Sequence, residues 1–161
     1  MQTVIDKYSP LTSAVNQHVA EFNEFLIPEN QLKLVDPTDA ATFCVLADIP
    51  WNSRWPGSGY AGMYVFGAYD EKDRSQLAAY VGRASFRNIG NHVSSLLNAR
   101  RSTEIYTMRS GPDMFRLEVL MAIAITTPTM RSMACALEEH VVKYGLDGIY
   151  LLNGLETRPA I

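Results

Sequence analysis

Between Arg83 and Arg109 the chain carries five arginines, Arg83, Arg87, Arg100, Arg101 and Arg109, against a single carboxylate, Glu104. Guanidinium groups gathered in this way can neutralise phosphates, which is the chemistry of a nucleic-acid surface. A solvated helix end would give the same composition. Glu138 is the second residue with chemical reach. At roughly 100° per residue, Met130, Met133, Ala134, Leu137, Val141 and Tyr144 form one apolar helical stripe, with Glu139 pointing away and Glu138 at its edge. A carboxylate at the rim of a packed face can serve a cleft as a ligand, or can cover apolar surface with its stem. Tyr64 and Tyr80 stand in short apolar, strand-like segments, and Tyr64 by itself reads as a core aromatic.

Soft-ligand metal chemistry has little support in the spacing. Cys44 and Cys135 sit in apolar neighbourhoods, FCVL and MACAL, and read as two reduced, buried thiols. His18, His92 and His140 show no ligand spacing among themselves or with the cysteines, so a zinc site is not expected. The net charge of -3 and pI of about 5.6 count against general nucleic-acid binding, so any phosphate affinity must come from a local patch.

The elements that must position these residues can be read from periodicity. Leu11, Val15, Val19, Phe22 and Leu26 form a helical stripe ended by Pro28. Asp36-Pro37 offers a helix start, with Ala40, Phe43 and Leu46 as a short apolar face. Pro50 and Pro56 bracket a Trp51 to Trp55 turn. Residues 1–57 thus read as a helical extension packed on a second unit, 58–161. There, GMYVFG (62–67) and LAAYV (77–81) read as two strands of a hairpin, joined by the charged loop 70–74. A helix is expected over 88–99, weakened at Gly90 by about 1 kcal/mol. FRLEVLMAIAI (115–125) reads as a strand covered on both faces, and Thr127-Pro128 as the start of a helix ending near Gly145. The expected architecture is α+β: a small, mainly antiparallel sheet flanked by helices. At 161 residues, 47% hydrophobic and 19% charged, the chain has the balance of one compact globular unit. No apolar run nears the roughly 20 residues of a membrane span, and MQTVIDKYSP does not look like a secretory signal. A cytoplasmic location is the default expectation.

Taken in order, three patches resemble the GIY-YIG nuclease superfamily. Gly62-Met63-Tyr64 stands for the first tripeptide and Tyr80-Val81-Gly82 for the second, followed by Arg83-Ala84. The third patch runs from Ala136 to Lys143, with Val141 and Val142 three and four residues after Glu138, and closes on Leu151-Leu152-Asn153. The resemblance spans residues 59–154. It implies a GIY-YIG-like fold and an endonuclease that hydrolyses DNA phosphodiesters, RNA not being excluded, with one divalent cation, Mg²⁺ or Mn²⁺, held by Glu138. Tyr64, together with Tyr80, would orient or deprotonate an attacking water. Asn153 would orient the site, and Arg83, Arg87, Arg100 and Arg101 would supply nucleic-acid contacts. Many relatives pair to cut both strands, which leaves a homodimer open.

One position departs from the family's pattern. DNA-cutting members usually carry an arginine on the helix after the second tripeptide, and here His92 occupies that place. A guanidinium stays charged and grips two phosphate oxygens at once, whereas an ordinary histidine, with a pKa of about 6.5, is mostly neutral at neutral pH. Either His92 acts as a protonated group or proton carrier, or Arg83 or Arg87 supplies the cation, or His92 is a helix-surface residue. The departure also supports a second reading, a nucleic-acid-binding module without catalysis. A third is a protein-interaction domain using the N-terminal helices with Trp51 and Trp55.

Overall fold

The computed structural model describes residues 3–48, 54–86, 88–102 and 105–153, the side chains of 98–102 and 105 excepted. Trp51 and Arg87 therefore lie outside the described residues, as do the side chains of Arg100 and Arg101. Four helices, α1 (Val4–Lys7), α2 (Ser9–Asn23), α3 (Ile89–Arg100) and α4 (Met133–Tyr144), flank a mixed, mainly antiparallel sheet of seven strands. The strands are β1 (Phe43–Val45), β2 (Ala61–Asp70), β3 (Leu77–Ala84), β4 (Arg101–Ser102), β5 (Ile105–Ser110), β6 (Asp113–Ile125) and β7 (Tyr150–Leu151). The α+β expectation holds at this level.

The sheet runs β4-β5-β6-β2-β3-β7, and β1 pairs with β6 beyond the end of β5. Only the β3–β7 pair is parallel. β2 and β6 are buried along most of their length, which explains their near-continuous apolar sequences. Side chains alternate between two cores. Met63, Val65 and Val81 face a cluster with α2 and α4 that includes Leu11, Val15, Leu137 and Val141. Tyr64, Phe66 and Ala78 face a cluster with α3 that includes Ile89, Val93 and Leu97. Fully burying each such aliphatic side chain contributes about 1.5–3 kcal/mol, so both helix layers are held mainly by apolar contact.

The N-terminal part departs from the expectation in two ways. No helix starts at Asp36. The Asp36 carboxylate instead accepts from the Thr38 N–H and hydroxyl, and Asp39 accepts from the Ala41 N–H. These local bonds compete with helix formation and hold a turn, after which Phe43–Val45 joins the edge of β6. Residues 1–57 are thus not a purely helical extension but donate a strand to the sheet. The second difference is where α2 stops. It ends at Asn23, whose side chain both donates to Leu32 O (2.9 Å) and accepts from Leu32 N–H (2.7 Å). Asn16 grips Val35 in the same two-bond manner. Strands β4, β5 and β7 were not anticipated, and the expected helix from Thr127 opens as a single 3₁₀ turn before α4 proper. Among the described residues no helix is long and apolar enough to cross a membrane.

Candidate functional site at the open edge of the third strand

In the hairpin, Tyr64 pairs directly with Gly82, and Phe66 with Tyr80. The Tyr64 ring lies flat across Gly82: a Cβ there would meet Tyr64 Cζ at 2.2 Å and its hydroxyl oxygen at 2.4 Å. The second glycine of the tripeptide pair is therefore required by close approach. The first, Gly62, is required in the same way, since its Cβ would fall 2.0 Å from Ile123 O. Without a side chain at Gly82, the phenol of Tyr64 is carried over β3 toward the sheet margin.

Among the described residues, β7 pairs with that margin only at Ala78 and Ala79. At Val81 the ladder is continued by a side chain. Asn153 Oδ1 accepts from Val81 N–H (2.6 Å), and Asn153 Nδ2 donates to Val81 O (2.5 Å). Asn153 is 1% exposed and so acts as a one-residue strand surrogate between Tyr80 and Gly82. It holds the backbone of the site.

Arg83, the next residue along β3, points to the α4 side and pairs with Glu138 (Nη1–Oε1 3.1 Å). By alternation, Glu138 belongs to the α4 face and Tyr64 and Tyr80 to the α3 face. Across the edge the link between them is electrostatic. The Tyr64 hydroxyl is held above its ordinary pKa by burial first, then by Tyr80 and by the Glu138 carboxylate. Glu138 is itself raised, chiefly by burial, with Arg83 opposing and Glu139 adding. A groove of about 610 Å³ wraps this margin, lined by Arg83, Ser85, Phe86 and His92 from the β3–α3 side and by Arg131, Ser132 and Cys135 from the start of α4. The His92 ring centroid is 6.3 Å from that of Tyr64.

α3 enters the site through a close approach. The Asn88 side chain caps the helix by accepting from Asn91 N–H (2.9 Å), and Ile89 N–H donates to Tyr60 O (2.8 Å). A Cβ at Gly90 would sit 2.5 Å from Ser58 Oγ. The glycine that weakens the helix on propensity is what lets the 57–60 turn pack against it. Trp55 is fixed to the same helix by donating from Nε1 to Ser94 Oγ (2.9 Å) and so braces α3.

Of the residues expected at the site, the structure sets Tyr64 near His92 on the α3 face with Tyr80, pairs Arg83 with Glu138 on the α4 side, and binds Asn153 to the Val81 backbone between them. Arg109 lies apart on β5, in register with Met114 of β6. Arg131 and Cys135 were missed, because an arginine before a helix and a cysteine within one carry no spacing signal. Comparison with protein-family models, with curated proteins and with solved structures finds no match.

A second constellation was also missed. His18 and Glu21 on α2 and His140 on α4 bring potential ligand atoms within 4.8 Å of one another. Histidines without ligand spacing in the chain thus come together in space, contrary to the expectation from sequence.

Proposed function

We propose that the protein is a divalent-metal-dependent endonuclease acting on DNA, with a site of the GIY-YIG kind at the open edge of β3. The single observation that carries this reading is the Tyr64 phenol lying across Gly82, next in the strand to the Arg83 that pairs with Glu138. The groove beside them is lined by Arg83, the partner of Glu138, and by His92, the ring neighbour of Tyr64.

The donor set fits a hard cation. Glu138 is a half-buried carboxylate, its burial disfavours an uncompensated charge, and it already attracts a cation in Arg83. Mg²⁺ or Mn²⁺ bound through one carboxylate, with waters and phosphate oxygens completing the shell, suits such a site. When bound, the ion supplies charge neutralisation at the non-bridging and leaving oxygens. The Arg83 side chain, 43% exposed, is then released to contact a phosphate, taking the part played by the arginine that His92 replaces. Burial keeps Tyr64 protonated, so it positions the attacking water by hydrogen bonding, and His92 beside it accepts the proton that leaves.

Incubation of the purified chain with supercoiled plasmid and Mg²⁺ tests this reading. Metal-dependent nicking that Glu138→Ala abolishes supports it, and absence of nicking with the intact chain overturns it. One observation favours a second reading, a nucleic-acid-binding module without turnover: the Arg83–Glu138 pair satisfies the carboxylate without any metal. Salt-sensitive retention of DNA with no cutting selects that alternative.

A further inference from the structure

We infer that His18, Glu21 and His140 form a binding site for a zinc-class transition-metal ion, separate from the proposed nuclease groove. His18 and Glu21 are three residues apart on α2 and so share one helical face, and α4 supplies His140 opposite them. The His18 and His140 Nδ1 atoms face each other at 2.9 Å, and His140 Nε2 lies 3.8 Å from Glu21 Oε2.

The surrounding groups fix the tautomer of His18, and the proton shared between the two Nδ1 atoms, carried by His140, is the one a bound cation would displace. His18 Nε2 is 2.8 Å from Gly145 O, and a carbonyl can only accept, so this nitrogen carries the proton. The His18 Nδ1 lone pair is therefore directed at His140. A ligating imidazole whose other N–H donates to a backbone carbonyl is the usual outer-shell arrangement of histidine metal sites. The carbonyl here is set by the turn that ends α4, where Gly145 adopts φ 76°. The His140 ring is oriented by edge contact with Phe22 (5.3 Å between centroids) and by Tyr144 (4.8 Å).

Two nitrogen ligands at 2.0–2.1 Å from a tetrahedral ion lie about 3.3 Å apart, so the imidazoles need to open by only about half an ångström. Two imidazoles and one carboxylate make a three-ligand set with the fourth position left to water or substrate. That position faces a groove of about 770 Å³ between α2 and the 144–149 turn, where Gln17 and Asp147 lie on the rim. Nitrogen donors favour Zn²⁺ over Mg²⁺, which prefers oxygen. The ion would tie the N-terminal helix to α4, the helix that carries Glu138 on another face.

Titration of the chelator-stripped full chain with Zn²⁺, read by competition against a chromogenic chelator, tests the site. The expected result is one equivalent bound, weakened at least tenfold by His18→Ala and by His140→Ala and unchanged by Glu138→Ala or Cys135→Ser. In the unaltered chain, Co²⁺ should give the intense visible bands of a four-coordinate ion, an outcome that does not depend on either variant folding. No stoichiometric zinc, zinc binding indifferent to both histidine substitutions, or a Co²⁺ spectrum of the six-coordinate hydrated ion would overturn the inference. Plasmid nicking by the zinc-free protein with Mg²⁺ reads the nuclease groove separately, so failure of one site is distinguishable from failure of the other.

Discussion

Two grooves flank the same helix, and they are built on opposite principles. The groove at the β3 margin is lined by Arg83, which pairs with Glu138, and by His92, which neighbours the Tyr64 ring that glycine lets lie across β3. The groove between α2 and α4 is assembled from imidazoles brought face to face by helix packing, with a backbone carbonyl fixing one tautomer. The first depends on strand register, because Tyr64 reaches the edge only if Gly82 is its partner. The second depends on the azimuth of α2 over α4. The contrast teaches that two faces of one helix can present different donor chemistry, a carboxylate paired with a guanidinium on one and imidazoles on the other.

The largest effect expected is on catalysis. Glu138→Ala should lower Mg²⁺-dependent nicking by a factor on the order of 10² or more while leaving the circular dichroism spectrum intact, since electrostatic groups aimed at developing charge carry terms of that size. Retention of full activity would move the site elsewhere.

Next comes the backbone that supports it. Asn153→Ala removes both bonds to Val81 and leaves a buried donor and acceptor unpaired, at about 1–3 kcal/mol for each group. Chemical denaturation should show the loss, and an unchanged midpoint would mean that water or a neighbouring strand replaces the amide. Gly82→Ala drives a methyl group into the Tyr64 ring and should cost about 1–3 kcal/mol. Adding Tyr64→Ala should recover part of that loss, a non-additivity that a double-mutant cycle reads directly.

The pH dependence is smaller but has a definite sign. Burial raises the folded-state pKa of Glu138, so the folded chain holds a proton that the unfolded chain has lost. Its contribution to stability is therefore present below the unfolded value near 4.5 and declines as pH rises through the higher folded value. Cation binding requires the carboxylate form and follows the opposite course. Nicking should fall on acidification as the carboxylate protonates, with the acid limb moving to lower pH as Mg²⁺ is raised, and an acid limb indifferent to Mg²⁺ would contradict Glu138 as the ligand. Least of all, Arg83→Gln should cost under about 1 kcal/mol of stability, because the pair is partly exposed.

Much of the framework around the β3 margin was legible from residues alone. The hairpin, the buried strand 113–125 and α4 announced themselves by period and by apolar continuity, and the two tripeptides marked positions where glycine is needed for close approach. Other parts were not legible, for identifiable reasons. Residues 36–46 carry a helix-start signal that the Asp36 and Asp39 side chains defeat with local turn bonds. Strand 105–110 was concealed because its arginine drew attention to charge rather than to its β-branched and aromatic residues. β7 is two residues long and has no identity apart from its partner. Tyr144, assigned to the apolar stripe, is 66% exposed because α4 ends before its ring can reach the core. The meeting of His18 with His140 could not be read at all, since it depends on how one helix is rotated against another across 122 residues.

The most direct measurement is anomalous diffraction from one crystal of the chain grown with a short DNA duplex, Mn²⁺ and Zn²⁺, with data collected at both metal edges. The account places manganese on the Glu138 carboxylate, beside the Tyr64 hydroxyl and against a phosphate, with Arg83 withdrawn from its present partner. A Glu138 carboxylate still paired with Arg83, with no manganese peak near it while the duplex lies on another surface, would contradict the claim that this edge of the sheet is where chemistry occurs.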